Sequence, residues 1–235
     1  MSTTNHKIVS HAEWTAARNE LLAREKQFTH ERDRLSEARR NLPWERVTES
    51  YVFERARGKA TLAELFDGRS QLVVYHLMFG PDWKAACKSC SFWADNFNGI
   101  VEHVAHRDVT LMAISRAPIA KLTAFAKRLG WTFEWASSLD STFNRDYGVS
   151  FTPEEVASGK VAYNYGQFEN GGSEMPGISV FIKDADGNVF HTYSCYARGI
   201  DMMNVAYQYL DLVPKGRDEG DHPMAWLRLR DEYGA

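Results

Sequence analysis

Cys87 and Cys90 enclose Lys88 and Ser89 in a C-x-x-C, and they are two of only three cysteines in the chain. Thiols at that spacing do one of two things: they cycle between dithiol and disulfide, or they form half of a metal site. Redox work suits a C-x-x-C at a helix start. One sulfur then faces solvent and the other lies one turn below, so the pair can close without large backbone movement. Helix-end N–H groups and the local dipole favour a thiolate on the first sulfur. Cys87 is therefore the expected nucleophile, and Cys90 the resolving thiol that releases the product from a mixed disulfide. Lys84 and Lys88 add positive charge nearby, and Asp82 opposes it. Trp83, Phe92 and Trp93 flank the pair. They read either as packing or as a shield and substrate groove, and Trp83 is the substrate-contact candidate among them.

The metal alternative rests on two histidines further along, Cys87-x2-Cys90-x12-His103-x2-His106. A zinc finger wants three to five residues between its histidines, and here there are two. If residues 91–106 form one helix, His103 lies ~20 Å along its axis from Cys90, too far to share a ligand. Asn98-Gly99 can break that helix and keeps the alternative open. The expectation is no metal and no cofactor. Cys195 reads as buried filler rather than a third redox thiol. His76, in the strand leading to the pair, reads as a satisfied core residue rather than a base. Ser91 has no nucleophile elbow.

The elements that must hold the pair follow from pattern. Residues 71–79 are nearly continuously apolar, as a buried strand would be, and Gly80-Pro81-Asp82 breaks them before the C-x-x-C. A helical stretch runs from there to about His106. Residues 109–115 form a second buried strand. Residues 118–129 form a helix with Pro118 in its first turn and Gly130 as its stop. Residues 133–137 read as a strand and 141–147 as a short helix closed by Gly148. Residues 151–176 are irregular, and Tyr163, Tyr165 and Phe168 make them a lid or an ordered surface loop. Residues 178–182 and 189–193 are strands joined by Asp184-Ala185-Asp186-Gly187-Asn188, a hairpin signal. Residues 201–212 form a closing helix. The expected fold is α/β: a four- or five-stranded mixed sheet flanked by helices, with 71–79 and 109–115 parallel and central and 178–182 antiparallel to 71–79.

Upstream, residues 11–42 read as one long helix opened by a Ser10/Glu13 capping box. Trp14, Leu21, Phe28, Leu35 and Leu42 recur every seven residues, but Arg18, Glu25 and Arg32 occupy the partner positions that a coiled coil fills with apolar side chains. The helix either lies along its own domain, the reading favoured by a narrow margin, or serves as a homodimer arm. Pro43 ends it. The division expected is residues 1–46 as an N-terminal helical extension, 47–213 as the main domain and 214–235 as a polar tail. The net charge of −3 gives no broad attraction to nucleic acid or anionic lipid. The polar first ten residues lack a signal peptide's apolar stretch, and no apolar run can span a bilayer, so a cytoplasmic address is expected.

A strand feeding a helix that begins with a C-x-x-C is the thioredoxin arrangement. Leu62 to Arg69 followed by residues 72–79 resembles the entry of the thioredoxin and alkyl hydroperoxide reductase superfamily. More narrowly, residues 76–83, Cys87 to Asp95, His191-Thr192-Tyr193-Ser194 and Ala197-Arg198-Gly199 closely resemble a bacterial family of unknown function, described as thioredoxin-like predicted dithiol–disulfide oxidoreductases. The resemblance runs from the N-terminal helix to Asp231-Glu232-Tyr233. It implies a thioredoxin-like (peroxiredoxin-like) fold and thiol–disulfide exchange, with a protein or small-molecule thiol or disulfide as substrate. It also implies that Pro176, before the strand at 178–182, is a cis proline beside the dithiol, with the backbone of its neighbour Met175 binding substrate. Two departures matter. Ala86 stands where thioredoxins carry tryptophan. The peroxiredoxin P-x-x-x-T-x-x-C frame, counted from Pro81, lands on Ala85 and Lys88, so the peroxide-activating hydroxyl is absent. A thiol peroxidase, a structural zinc site and a non-enzymatic binding module remain the alternatives.

Overall fold

The computed structural model describes residues 6–234. Helix α1 (His11–Arg40) opens on the expected capping box: the Ser10 hydroxyl accepts from the Glu13 N–H, and the Glu13 carboxylate accepts from the Ser10 N–H. Its thirty residues span about 45 Å. None is buried. Trp14, Leu21, Phe28, Leu35 and, just past the helix, Leu42 are 44–69% exposed. The helix therefore does not bury its seam along its own domain, which corrects the favoured reading. Charged residues at the partner positions leave too narrow an apolar stripe to hold it there.

The strands are β1 (Glu45–Arg46), β2 (Val52–Arg55), β3 (Gly58–Thr61), β4 (Gln71–His76), β5 (Val109–Ser115), β6 (Trp135–Ser137), β7 (Lys160–Tyr163), β8 (Gly166–Glu169), β9 (Gly177–Lys183) and β10 (Val189–Tyr196). Eight form one sheet in the order β1-β10-β9-β4-β5-β6-β2-β3, and β7-β8 stand apart as a hairpin. Short edge strands carry the sheet past the expected four or five. At its centre β4 and β5 are parallel, with Gln71 opposite Val109, and β9 runs antiparallel to β4, with His76 opposite Gly177. The inner order β10-β9-β4-β5, with β9 alone reversed, is the thioredoxin-like core. Strand β4 stops at His76, short of Phe79, because the chain turns there to enter the dithiol loop.

Helices α2 (Lys88–Ala94), α3 (Val101–Ala105) and α4 (Ile119–Leu129) follow β4 and β5; α5 (Phe143–Asp146), α6 (Pro153–Ala157) and α7 (Val205–Leu210) are short. The helical stretch after the C-x-x-C is broken between residues 95 and 100, as Asn98-Gly99 permits. Gly130 stops α4 in the left-handed region at φ 64°. The segment 151–176, expected to be irregular, holds α6 and the β7–β8 hairpin. The expected closing helix is a 3-10 turn, Ala197–Met203, followed by α7.

Alternation along β4 divides the core. Tyr75 and Leu77 join Cys90, Trp93, Leu122 and Phe125 on one side of the sheet. Leu72 and Val74 join Met112, Ile114, Phe143 and Phe181 on the other. The C-terminal residues are less polar in role than in composition. Leu227 and Leu229 are buried, and Arg128 of α4 pairs with Asp231 and Glu232. Among the described residues, no helix is long and apolar enough to cross a membrane.

Candidate functional site

The dithiol sits where β4 ends and α2 begins. The Cys87 N–H donates to the Met78 carbonyl at 2.9 Å, tying the first cysteine to the strand exit. Cys87 is the N-cap of α2, and its carbonyl accepts from both the Ser91 N–H and the Ser91 hydroxyl at 2.9 Å. Cys90 lies one turn in and is 2% exposed, whereas Cys87 is half-buried; both thiols are free. The spacing has thus produced one reachable sulfur and one enclosed sulfur.

Their acidities diverge for physical reasons. The Cys90 thiol donates to the Cys87 sulfur, burial opposes the resulting charge, and N–H groups of Cys90 and Ser89 with the Ser89 hydroxyl add support, so Cys87 falls from 9.0 to about 6. Burial drives Cys90 well above its ordinary value, and the neighbouring Cys87 thiolate adds to that. The expected lysine contribution does not materialise. Lys84 is exposed, and the Lys88 ammonium reaches away to the Ala225 carbonyl at 3.4 Å. Hydrogen bonds at the helix start carry the thiolate instead.

Three features stand around the loop and helix that carry the pair. Trp83 is half-buried over Gly80, where a Cβ would come within 2.8 Å of the indole nitrogen, so only glycine allows this seat. A cleft of about 630 Å³ lies between the loop 80–83 and Glu174, with Trp83, Arg116, Phe151 and Pro153 on its walls. Glu174 is buried and paired with Arg116 at 3.1 Å. The third feature is the C-terminal segment. Trp226 packs edge-on against Phe92 of α2, and the Glu219 carboxylate accepts from the Tyr207 hydroxyl, the Trp226 indole and the Met224 N–H, fixing the segment over the helix. Glu219 has no sequence signal, because nothing local shows that its three partners converge.

Met175 and Pro176 come to the start of β9 but differ from expectation. The Met175–Pro176 bond is trans, since the described residues contain no cis peptide. The Met175 N–H donates to the Val149 carbonyl at 2.8 Å, so it is not free for a substrate backbone. The Pro176 carbonyl accepts from the Tyr163 hydroxyl at 2.6 Å, and Tyr163 in turn accepts from the Ala197 N–H. The β7–β8 hairpin therefore pins this loop from outside, and a trans bond satisfies every partner it has.

His103 and His106 are exposed, and no three His, Cys, Asp or Glu residues gather to hold a metal among the described residues. Cys195 is buried, and burial raises its pKa. His76 is buried on the far side of the sheet, lowered to about 3 by burial. Its Nε2 meets the Ser179 hydroxyl at 2.9 Å, Ser179 meets Ser194 at 2.8 Å, and Ser194 meets His191 at 2.7 Å. Its Nδ1 has no partner among the described residues. Tyr75 belongs to no motif in the sequence, yet it is fully buried among the same side chains as Cys90, and its hydroxyl also lacks a hydrogen-bond partner among the described residues. A tyrosine following the aliphatic run Leu72-Val73-Val74 in a buried strand is the signal that could have found it.

Comparison with known proteins places the chain. A family model described as "Bacterial protein of unknown function (DUF899)" matches residues 3–233. No curated relative matches. Among solved structures, the chain is similar to a cysteine-to-serine mutant of Xanthomonas campestris peroxiredoxin Q, at 14% identity and a TM-score of 0.49, covering 72% of this chain and 98% of that one. It is also similar to the peroxidoxin BcpB from Mycobacterium tuberculosis, at 14% identity and a TM-score of 0.44, covering 72% and 97%. A hypothetical protein from Sinorhizobium meliloti follows at 15% identity and a TM-score of 0.37, covering 63% and 72%.

Proposed function

The chain belongs to this bacterial family of unknown function, and we propose that it is a thiol–disulfide oxidoreductase working through Cys87 and Cys90. The observation that carries the reading is the split between the two thiols: a reachable, acidic Cys87 at the head of α2 and an enclosed Cys90 one turn below. At neutral pH Cys87 is mostly thiolate. It attacks a substrate disulfide RS–SR, forming the Cys87–SR mixed disulfide and releasing RS⁻. Cys90 then attacks the Cys87 sulfur, forming the Cys87–Cys90 disulfide and releasing the second RS⁻, with the Cys90 proton passing to a departing thiolate. The substrate is reduced by two electrons and the pair oxidised by two. A reducing compartment such as the cytoplasm would restore the dithiol. Trp83, packed against the side chains around Cys90, and Met175–Pro176 at the start of β9 are the substrate contacts of this reading, and with the Met175 N–H engaged they would offer side-chain surface rather than a backbone hydrogen bond.

A thiol peroxidase is the other reading of a redox thiol. In a T-x-x-C frame Cys87 would take the threonine position and Cys90 would be the peroxide-reactive sulfur. Burial disfavours that role, because an enclosed thiol of raised pKa is a poor nucleophile. A redox titration followed by mass spectrometry, with metal analysis of the same sample, tests the proposal. A reversible two-electron couple confined to Cys87 and Cys90 is the expected result. Stoichiometric zinc, or a pair that never oxidises, would overturn it.

A further inference from the structure

A buried hydroxyl with no hydrogen-bond partner costs stability that a phenylalanine in the same space would not incur. Tyr75 is such a residue. It is 0% exposed, its ring packs edge-on against Phe97 at 5.4 Å, and its hydroxyl stands unpartnered within the side chains that enclose Cys90. Facing the Cys90 sulfur are the Cys87 sulfur, the Met78 N–H and the Tyr75 hydroxyl, with Tyr163 at longer range. Tyr163 is engaged by Pro176 and Ala197. Among the side-chain hydroxyls there, Tyr75 alone is uncommitted.

The resolving step needs a charge where the protein has least water. Cys90 must become a thiolate inside the core before it can attack Cys87. Before that, its thiol is occupied in donating to the Cys87 sulfur. Once Cys87 is in a mixed disulfide, it is no longer an anion and no longer draws that proton. We propose, on the premise that the pair performs disulfide exchange, that Tyr75 is a catalytic residue of the resolving step, its hydroxyl donating a hydrogen bond to the Cys90 thiolate as it forms. The donor is already buried among the side chains around Cys90, so the charge would develop beside a dipole that the fold holds there. Tyr75 keeps its own proton throughout, since burial holds the phenol well above its ordinary pKa. The bond that breaks is Cys87–SR, the bond that forms is Cys87–Cys90, and the Cys90 proton leaves with the released thiol.

The two steps can be timed separately with dipyridyl disulfide, which releases one pyridinethione when Cys87 attacks and a second when Cys90 resolves. Tyr75→Phe should leave the first phase within about twofold. It should slow the second by about tenfold and move that phase's pH inflection up by about one unit, as expected for losing a hydrogen bond to an ionised group. Replacing Tyr75 with 3-fluorotyrosine, a stronger donor, should move the inflection down. An unmoved second-phase inflection in both proteins overturns the assignment, as does equal slowing of both phases, which would mark a structural effect. A wild-type protein that releases no second equivalent would instead refute disulfide exchange itself, so the two failures are distinguishable.

Discussion

Replacing Cys90 with alanine should make Cys87 a weaker acid. The Cys90 thiol is the largest single cause of the depressed Cys87 pKa, and Cys90→Ala removes that donor while keeping the backbone N–H groups of residues 89 and 90. A hydrogen bond to an ionised group contributes about 1.5–3 kcal/mol, and one pH unit corresponds to about 1.4 kcal/mol, so the midpoint should rise from about 6 by about one to two units. At about pH 6 the wild-type thiol is roughly half ionised, and the variant's would be ionised to about a tenth to a hundredth. Alkylation by iodoacetamide should therefore slow about 5- to 50-fold there, while the rates converge at about pH 9.5 where both are ionised. Cys90→Ser, which keeps a hydroxyl donor, should fall between. Cys87→Ser should react hardly at all. Equal inflections in wild type and Cys90→Ala would refute the reasoning, leaving the helix-start N–H groups to hold the thiolate alone. A Cys87→Ser protein with a fast, acidic Cys90 would reverse the two roles.

Other consequences can be measured independently. His76 titrates near 3 when folded and 6.5 when free, so between those values the unfolded chain binds the extra proton. This residue should remove about 1.4 kcal/mol of stability per pH unit as pH falls through that window, and denaturant melts of His76→Gln should lack that component. Gly80→Ala should unseat Trp83, because the added Cβ meets the indole at 2.8 Å; a shifted tryptophan emission with slower reaction at Cys87 checks it. The near-balanced charges of α1 suit a second copy of the helix better than an acidic or a basic partner, so removing residues 1–42 should turn a dimer into a monomer in sedimentation velocity. An intact chain that sediments as a monomer at high concentration would end that idea.

Much of the frame was legible because it rests on local rules. Strand β5 occupies the residues its apolar run marks, and α1 starts where its capping box places it. The C-x-x-C stands at a strand-to-helix junction because Gly80-Pro81 can only be a break. The β7–β8 hairpin is not legible in the sequence because its turn uses Asn164 and Tyr165, both at positive φ (54° and 61°). Asparagine suits that conformation, but tyrosine gives no turn signal. The Pro176 geometry depended on partners far away in sequence, Val149 and Tyr163, and a motif cannot supply those. Lys88 looked like a neighbour of the thiolate on sequence proximity alone, whereas the packed C-terminal segment offers its ammonium a carbonyl. Leu227 and Leu229 carry too little pattern amid charged residues to announce their burial.

Strand β4 shows how one short element serves two environments. Successive side chains of a strand point to opposite faces, so adjacent Tyr75 and His76 are sent to opposite sides of the sheet. Tyr75 arrives among the side chains around Cys90, and His76 arrives between the rings of Phe143 and Tyr147 and joins the Ser179–Ser194–His191 chain. Each keeps one buried polar atom without a partner, the Tyr75 hydroxyl and the His76 Nδ1. The two positions nevertheless differ in what they can do. For His76 the neutral ring is the stable form, and an unpartnered acceptor nitrogen needs no proton. The hydrogen bonds then run one way, from His76 Nε2–H through the two serines to His191, a closed use of every donor. Tyr75 has a donor left over, and the one group beside it that gains negative charge during exchange is Cys90. A register slip of one residue would exchange the two side chains and put an imidazole beside the dithiol, so the pairing of Val74 with Ser179 and Met112 fixes the chemistry as well as the fold.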